Sequence, residues 1–324
     1  MGSLLAVPCT SKARLDGKTA VITGANTGIG KITAKDFYKR GATVIIACRN
    51  LDKANEAIQE IKQDCQGQEN LGQLKSIKLD LSSLQSVRAC AEELNKAEHN
   101  INLLVNNAGV MAVPFSKTVD GFELTFGTNH LGHYLLTILL LPKIIQSGPG
   151  ARIVNVSSLL HQMTCSGPDF DDLNFEKRKF NTNQAYIYSK LANIFFTREL
   201  HRRLRDHGID GVNVYALHPG VIKTELTRSM NESMFPGARF ILSDVVGGIF
   251  FKTPEQGAQT QIHCSVDEKC ADQSGLYYSE CKPVQPSKVA LNDEMAAKMW
   301  DVSWKLVGLE ENYDPFRHVV NSGI

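Results

Sequence analysis

The sequence predicts an α/β fold: a single doubly wound parallel sheet with helices on both faces. Three observations predict it. Short apolar runs alternate with helical patterns from residue 18 onward. A glycine-rich turn, TGANTGIG, joins the first apolar run to the first helical pattern. A later apolar run closes on Asn-Asn-Ala-Gly, a polar group at a strand's carboxyl end. Strands that alternate with helices pair in parallel through crossovers, and their ligand sites lie along the carboxyl edge of the sheet.

The elements follow in order. Residues 19–23 are a β run that breaks into the turn with Gly24, Gly28 and Gly30. The spacing, G-x-x-x-G-x-G, lengthens the common dinucleotide turn and keeps its physics: tight backbone, then amides at a helix N-terminus that face a pyrophosphate. A helical pattern runs through Tyr38, and Gly41 introduces a strand over 43–47. An acidic residue at that strand's end would hold an NAD ribose. Cys48 and Arg49 stand there instead, and an arginine grips a 2′-phosphate, so NADP(H) is expected. Residues 76–81 read as a strand in which Asp80 receives the adenine amino group, caps a helix beginning near Ser82, or both. Residues 101–105 read as the strand before Asn106 and Asn107, whose amides can bond backbone on neighbouring strands; Gly109 leaves room for the adenine ribose.

Composition narrows the class. The chain has 324 residues, 43% hydrophobic and 21% charged, with net charge +1, which suits a globular protein and supplies no nucleic-acid-binding stripe. The cluster Arg202, Arg203, Arg205 reads as a solvated helix face. Eight cysteines are scattered, with no Cys-x-x-Cys and no pair at metal-ligand spacing with histidines, so no metal is expected and a reducing compartment fits. The start, MGSLLAVPCT, is too short and interrupted to span a bilayer. A cytoplasmic protein, at most peripherally membrane-associated, is the expectation.

The stretch QAYIYSKLAN puts Tyr186 and Lys190 four residues apart, one turn along a helix face. A cation so placed favours the phenolate and draws the tyrosine's pKa down towards the range of a proton donor or acceptor. With TGANTGIG, NNAG, GTNHLGHYLL, RIVNVSS and HPGVIKTEL in order around it, the chain resembles the short-chain dehydrogenase/reductases over residues 15–310. The wording ACRN, NNAGVM, NHLGHYLLT, FTREL and HPGV is similar to the NADP(H)-preferring retinol dehydrogenase branch. The resemblance implies a Rossmann fold and a catalytic set: Asn129 holding a water near the lysine, Ser158 orienting the substrate oxygen, Tyr186 as acid/base, and Lys190 tuning Tyr186 and binding the nicotinamide ribose. Ser157 and Tyr188 are out of register for these roles. It also implies cofactor contacts at Gly24, Asn26, Thr27, Gly28, Ile29, Gly30, Arg49, Asp80, Leu81, Asn107, Ala108, Gly109, Tyr186, Lys190, Pro219, Gly220, Ile222 and Thr224.

The resemblance divides the chain into an N-terminal tail (1–14), a dehydrogenase domain (15–310) and a C-terminal tail (311–324). Within the domain, an insert at 159–183 either folds over the substrate entrance or is a surface excursion. A Met- and Phe-rich stretch in a lid at 225–252 suits a long apolar substrate, core packing or a membrane contact. Residues 211–217 read as a strand, Thr253-Pro254 with Gln256 as a capping box, 275–278 as the final strand, and Trp300 with Trp304 as the docking face of a C-terminal helix. The implied activity interconverts an apolar alcohol and its aldehyde or ketone, retinol and retinal first. A broad carbonyl, farnesal or steroid reductase is the alternative within the class, and a non-catalytic NADP(H)-binding regulator the alternative outside it. In this family the helix carrying Tyr186 often pairs with its copy, which implies a homodimer or homotetramer.

Overall fold

The strands are β1 (Thr19–Thr23), β2 (Thr43–Cys48), β3 (Gln73–Lys78), β4 (Leu103–Asn106), β5 (Ala151–Val156), β6 (Val212–His218), β7 (Tyr277–Ser279) and β8 (Lys282–Pro283). They belong to a computed structural model that describes residues 7–222 and 252–317. One sheet contains all eight, in the order β3-β2-β1-β4-β5-β6-β7-β8. Every pairing is parallel except β7 with β8. The helices are α1 (Gly28–Lys39), α2 (Leu51–Asp64), α3 (Leu84–Ala97), α4 (Leu124–Phe126), α5 (Gly132–Gln146), α6 (Thr182–Asp206), α7 (Pro254–Val266) and α8 (Asp293–Leu306).

The side-chain alternation of a strand sends its residues to opposite faces. In β1, Ala20 and Ile22 join Phe37 of α1, Ile58 of α2 and Ile262 of α7 in one core. Val21 points the other way, into a core with Leu94 of α3, Leu135 of α5, Phe195 of α6 and Trp300 of α8. The sheet is covered on both faces, as the apolar runs of its central strands require. Burying one such aliphatic side chain contributes roughly 1.5–3 kcal/mol.

Several boundaries differ from the sequence reading. β3 lies at 73–78, not 76–81: it is an edge strand with exposed residues, and its polar side chains give no apolar run to mark it. Asp80 and Leu81 therefore follow the strand. Asp80 does not cap the next helix; Ser83 does, accepting from the Ser86 amide. β4 starts two residues later than 101 and includes Asn106. β7 is not the last strand, because two residues of β8 return beside it. The capping box forms as expected: Thr253 accepts from the Gln256 amide and Gln256 from the Thr253 amide. The arginine cluster is not simply solvated. Arg202 and Arg203 pair with the buried Glu199, Arg205 pairs with Asp210, and Arg203 lies over Trp300. The lid, apart from Lys252, and Thr224 lie outside the described residues. Among the described residues, no helix is long and apolar enough to cross a membrane.

Candidate active site

β1 and β4 are neighbours at the sheet's centre, and the strand order runs outward from them in opposite directions. Open parallel sheets bind ligands in the crevice at such a reversal. The glycine turn after β1 meets Asn-Asn-Ala-Gly after β4 there. Gly24 has a φ of 65°, and a Cβ on it would sit 2.8 Å from Ala108 Cβ. A Cβ on Gly30 would sit 2.5 Å from Asn107 Nδ2, so only glycine lets the two segments approach this closely. Thr23 ties them together. Its Oγ1 accepts from the amides of Asn107 (2.9 Å) and Ala108 (3.0 Å), while Asn107 Nδ2 donates to its carbonyl. The Thr23 hydroxyl proton is then left for His133 Nε2 at 2.8 Å, and His133 Nδ1 donates to the Asn129 carbonyl at 3.0 Å. That network holds His133 neutral with its proton on Nδ1, and burial takes its pKa down to about 3.

Asn106 departs from the reading that both asparagines bond neighbouring backbone. Its Nδ2 donates to Thr137 Oγ1 and Asn155 Oδ1, and Asn155 continues to Thr197, a buried polar chain from β4 through β5 to α6. α1 opens with no side-chain cap from Thr27 and no acidic residue in its first turn, so the positive end of its dipole is unopposed at the turn. Asp80 Oδ1 is engaged by the amide and hydroxyl of Ser82. Arg49 is exposed beyond β2, and no described carboxylate pairs with it.

The other half of the crevice gathers the proton-transfer candidates. A π-helical turn, Gly127–Leu131, carries Asn129 into the core; such turns inside α-helices recur at functional sites. Asn129 closes on Val110 from both sides, accepting from its amide (2.8 Å) and donating to its carbonyl (2.9 Å), and donates to Ser189 Oγ. Its own carbonyl accepts from His133 and Asn193. Lys190 Nζ donates to the Val156 carbonyl at 3.0 Å and lies 5.7 Å from the centre of the Tyr186 ring. A Cβ on Gly109 would fall 3.2 Å from Asn129 Oδ1 and 3.4 Å from Lys190 Nζ, which brings the cofactor-side loop against the lysine. Ser158 Oγ accepts from the Leu160 amide at 3.2 Å and lies near enough to the Tyr186 phenol to favour its ionised form. Behind Ser158, His161 Nδ1 donates to its carbonyl at 2.6 Å, while the Ser287 amide donates to His161 Nε2 at 3.0 Å.

Lys190 does not draw the Tyr186 pKa down in this arrangement. Burial pushes the phenol up to about 12, eased by the nearby Ser158 hydroxyl, and burial takes Lys190 down to about 8. Both groups shift towards their neutral forms because desolvation outweighs an attraction across the ring face. Ser157 and Tyr188 stand apart from this centre: Ser157 Oγ donates to the Lys190 carbonyl, and Tyr188 packs under Arg178. The insert packs Phe175 and Phe180 beside Phe115, with Lys117 paired to Glu176. Leu159, Met163 and Val221, which follow Ser158 and Gly220, are exposed apolar side chains. Gly220 packs on the stem of Lys252, and the Lys252 amide donates to Val221. Pro219 leads into this turn, and Ile222 bridges to Lys252 beside Ile29 and Gly257.

Comparison with known proteins agrees with this geometry. A sequence profile for short chain dehydrogenases matches residues 18–168. Human retinol dehydrogenase 13 is 46% identical over 305 residues, 93% of this chain and 88% of that protein. The chain belongs to the short-chain dehydrogenase family. Within it, the chain falls in the retinol dehydrogenase branch: human retinol dehydrogenase 11 is also 46% identical, over 93% of this chain and 89% of that one. A crystal structure from Mycobacterium paratuberculosis superposes with a TM-score of 0.72 at 33% identity, covering 93% of this chain and 97% of that one. A putative NAD(P)-dependent gluconate 5-dehydrogenase from Beutenbergia cavernae, with bound NADP at low occupancy, gives 0.63 at 26% identity over 82% of this chain and 96% of that one.

Short-chain dehydrogenases are oxidoreductases that bind NAD(P), and the crevice suits such a group. Asn107 Oδ1 is buried without a hydrogen-bond partner, an acceptor that costs free energy unless a ligand donor reaches it. The uncapped α1 N-terminus beside it suits a pyrophosphate. Asn26, Thr27, Gly28 and Ile29 lie in this turn, and Leu81 packs against Gly132. Reading the sequence singled out neither Thr23, His133, Asn193, His161 nor Lys252. His133 and Asn193 carry a signal, standing four residues after Asn129 and three after Lys190; the other three join the site only through the fold.

Proposed function

We propose that this short-chain dehydrogenase uses NADP(H) to interconvert an apolar alcohol and its carbonyl, with retinol and retinal as the first pair, and that it runs as a reductase where NADPH is plentiful. The observation that carries this reading is the convergence of Ser158, Tyr186, Lys190 and Asn129 beside the glycine turn. Bound in the crevice, NADPH would supply the hydride for the carbonyl carbon. Tyr186, protonated at neutral pH, donates its proton to the oxygen as negative charge grows there. Ser158 donates a second hydrogen bond to the same oxygen. Lys190 would hold the nicotinamide ribose, and Asn129 keeps the loop at Gly109 and Val110 in register with that lysine. Arg49, free of carboxylates at the end of β2, supports NADP(H) over NAD(H). The exposed Leu159, Met163 and Val221 support an apolar substrate, as do the relatives named as retinol dehydrogenases.

The test is NADPH oxidation with all-trans-retinal and a panel of small carbonyls. Retinal should turn over with the highest kcat/KM. Tyr186→Phe should lower kcat by about a hundred- to ten-thousand-fold while NADPH still binds. Tight NADPH binding without turnover of any carbonyl, or an active Phe variant, overturns the reading.

A further inference from the structure

The sequence shows no cysteine at metal-ligand spacing with a histidine, yet the fold assembles one far from the crevice's chemistry. Cys9 Sγ, an imidazole nitrogen of His263 and a carboxylate oxygen of Asp267 all lie within 4.8 Å of one another. His263 sits in the last turn of α7, and Asp267 follows one turn on, as that helix's C-cap. Their side chains are 9% and 5% exposed, with Nδ1 and Oδ2 3.0 Å apart. Cys9 comes from the opposite end of the chain. Its amide donates to Gln259 Oε1 at 3.0 Å, one turn before His263, and the neighbouring Ser11 hydroxyl donates to Glu268. Backbone and side-chain contacts on both sides therefore hold the thiol at this helix without help from an ion. A second thiol, Cys270, stays outside this trio and donates to the His263 carbonyl.

We propose that Cys9, His263 and Asp267 form a site for a borderline-soft divalent cation of the zinc class, which staples the N-terminal segment to α7. The donor set decides the class. Thiolate, imidazole and carboxylate together suit zinc, whereas calcium and magnesium take oxygen ligands. Tetrahedral zinc holds its ligand atoms about 3.5 Å apart, from bonds of about 2.0–2.3 Å, so the three donors need only small rotations to close. The fourth position is left to water. The staple reaches the nucleotide end of the molecule, because Gln261 of α7 donates to the Ile29 carbonyl in the first turn of α1.

The experiment titrates the full-length, metal-stripped protein with zinc alone and, in parallel, with cobalt(II), whose absorption reports thiolate ligation and tetrahedral geometry. One equivalent should bind with a sulfur-to-cobalt charge-transfer band. Zinc at a hundredfold excess over Kd should raise Tm by roughly 5 °C. Cys9→Ser, a change at a partly exposed position, should remove the band and weaken zinc binding at least tenfold. Asp267→Asn should weaken zinc binding and keep the band, and Cys165→Ser, at an exposed thiol elsewhere, should change neither. Absence of stoichiometric binding, retention of the band in Cys9→Ser, or its loss in Cys165→Ser overturns the proposal.

Discussion

Lys190 is a charged group held where charge is costly. An unfolded chain keeps its proton up to about 10.5, and the folded chain only to about 8. The unfolded state therefore binds more protons between those values, and stability rises with pH across that window. Below pH 8 the full penalty applies, about 3 kcal/mol from a shift of that size. Lys190→Met should raise the melting temperature at pH 7 while abolishing turnover, and its advantage over the unmodified protein should shrink as pH approaches 10. A calorimetric series from pH 7 to 10 checks this; a destabilised variant at pH 7 would mean that the bond to the Val156 carbonyl outweighs desolvation. In the same window, reduction should slow as pH rises through about 8, because the ammonium loses its charge while Tyr186, near 12, stays protonated.

At the scale of elements, α8 decides what becomes of α5 and α6. Trp300 is 3% exposed; its carbonyl accepts from Tyr134 of α5 and its ring meets Phe196 of α6. Arg198 of α6 also pairs with Asp293 at the start of α8. The apolar side of the helix carrying Tyr186, which the resemblance would pair with a second copy, is thus packed under the chain's own last helix. Trp300→Ala should cost about 3–5 kcal/mol, read as a lower Tm, and should expose an apolar face that raises the apparent mass in light scattering. Unchanged stability and mass would show that α8 is dispensable there. The sequence made the glycine turn, the capping box and the Tyr186–Lys190 helix legible because each is a local pattern with a local cause. It made β3 and β8 illegible, since a polar edge strand and a two-residue return carry no apolar run. The bonds from His161 to Ser158 and Ser287, and the meeting of Cys9 with His263, depend on long-range topology that spacing cannot encode.

For the molecule as a whole, a net charge of +1 gives no long-range field to guide a polyanionic cofactor. Local charge then matters most, and on the proposed reading Arg49 supplies it at the end of β2. Raising ionic strength should therefore weaken NADPH binding modestly, and Arg49→Glu should raise the NADPH KM about ten- to a hundredfold, leave NADH little changed and remove most of the salt effect. An unaltered KM in this variant would place the 2′-phosphate elsewhere. The strand reversal between β1 and β4 also divides the molecule by inheritance. Arg49, which on the proposed reading discriminates between dinucleotides, leaves the sheet on the β2 side, whereas Ser158, Tyr186 and Lys190 leave it on the β5 side. The two traits meet at Thr23 and Asn107, and again where Gly109 lies against Asn129 and Lys190. They are free to evolve at separate tempos, and a graft of the β1–β3 half from a relative would swap the redox currency without rewriting the chemistry.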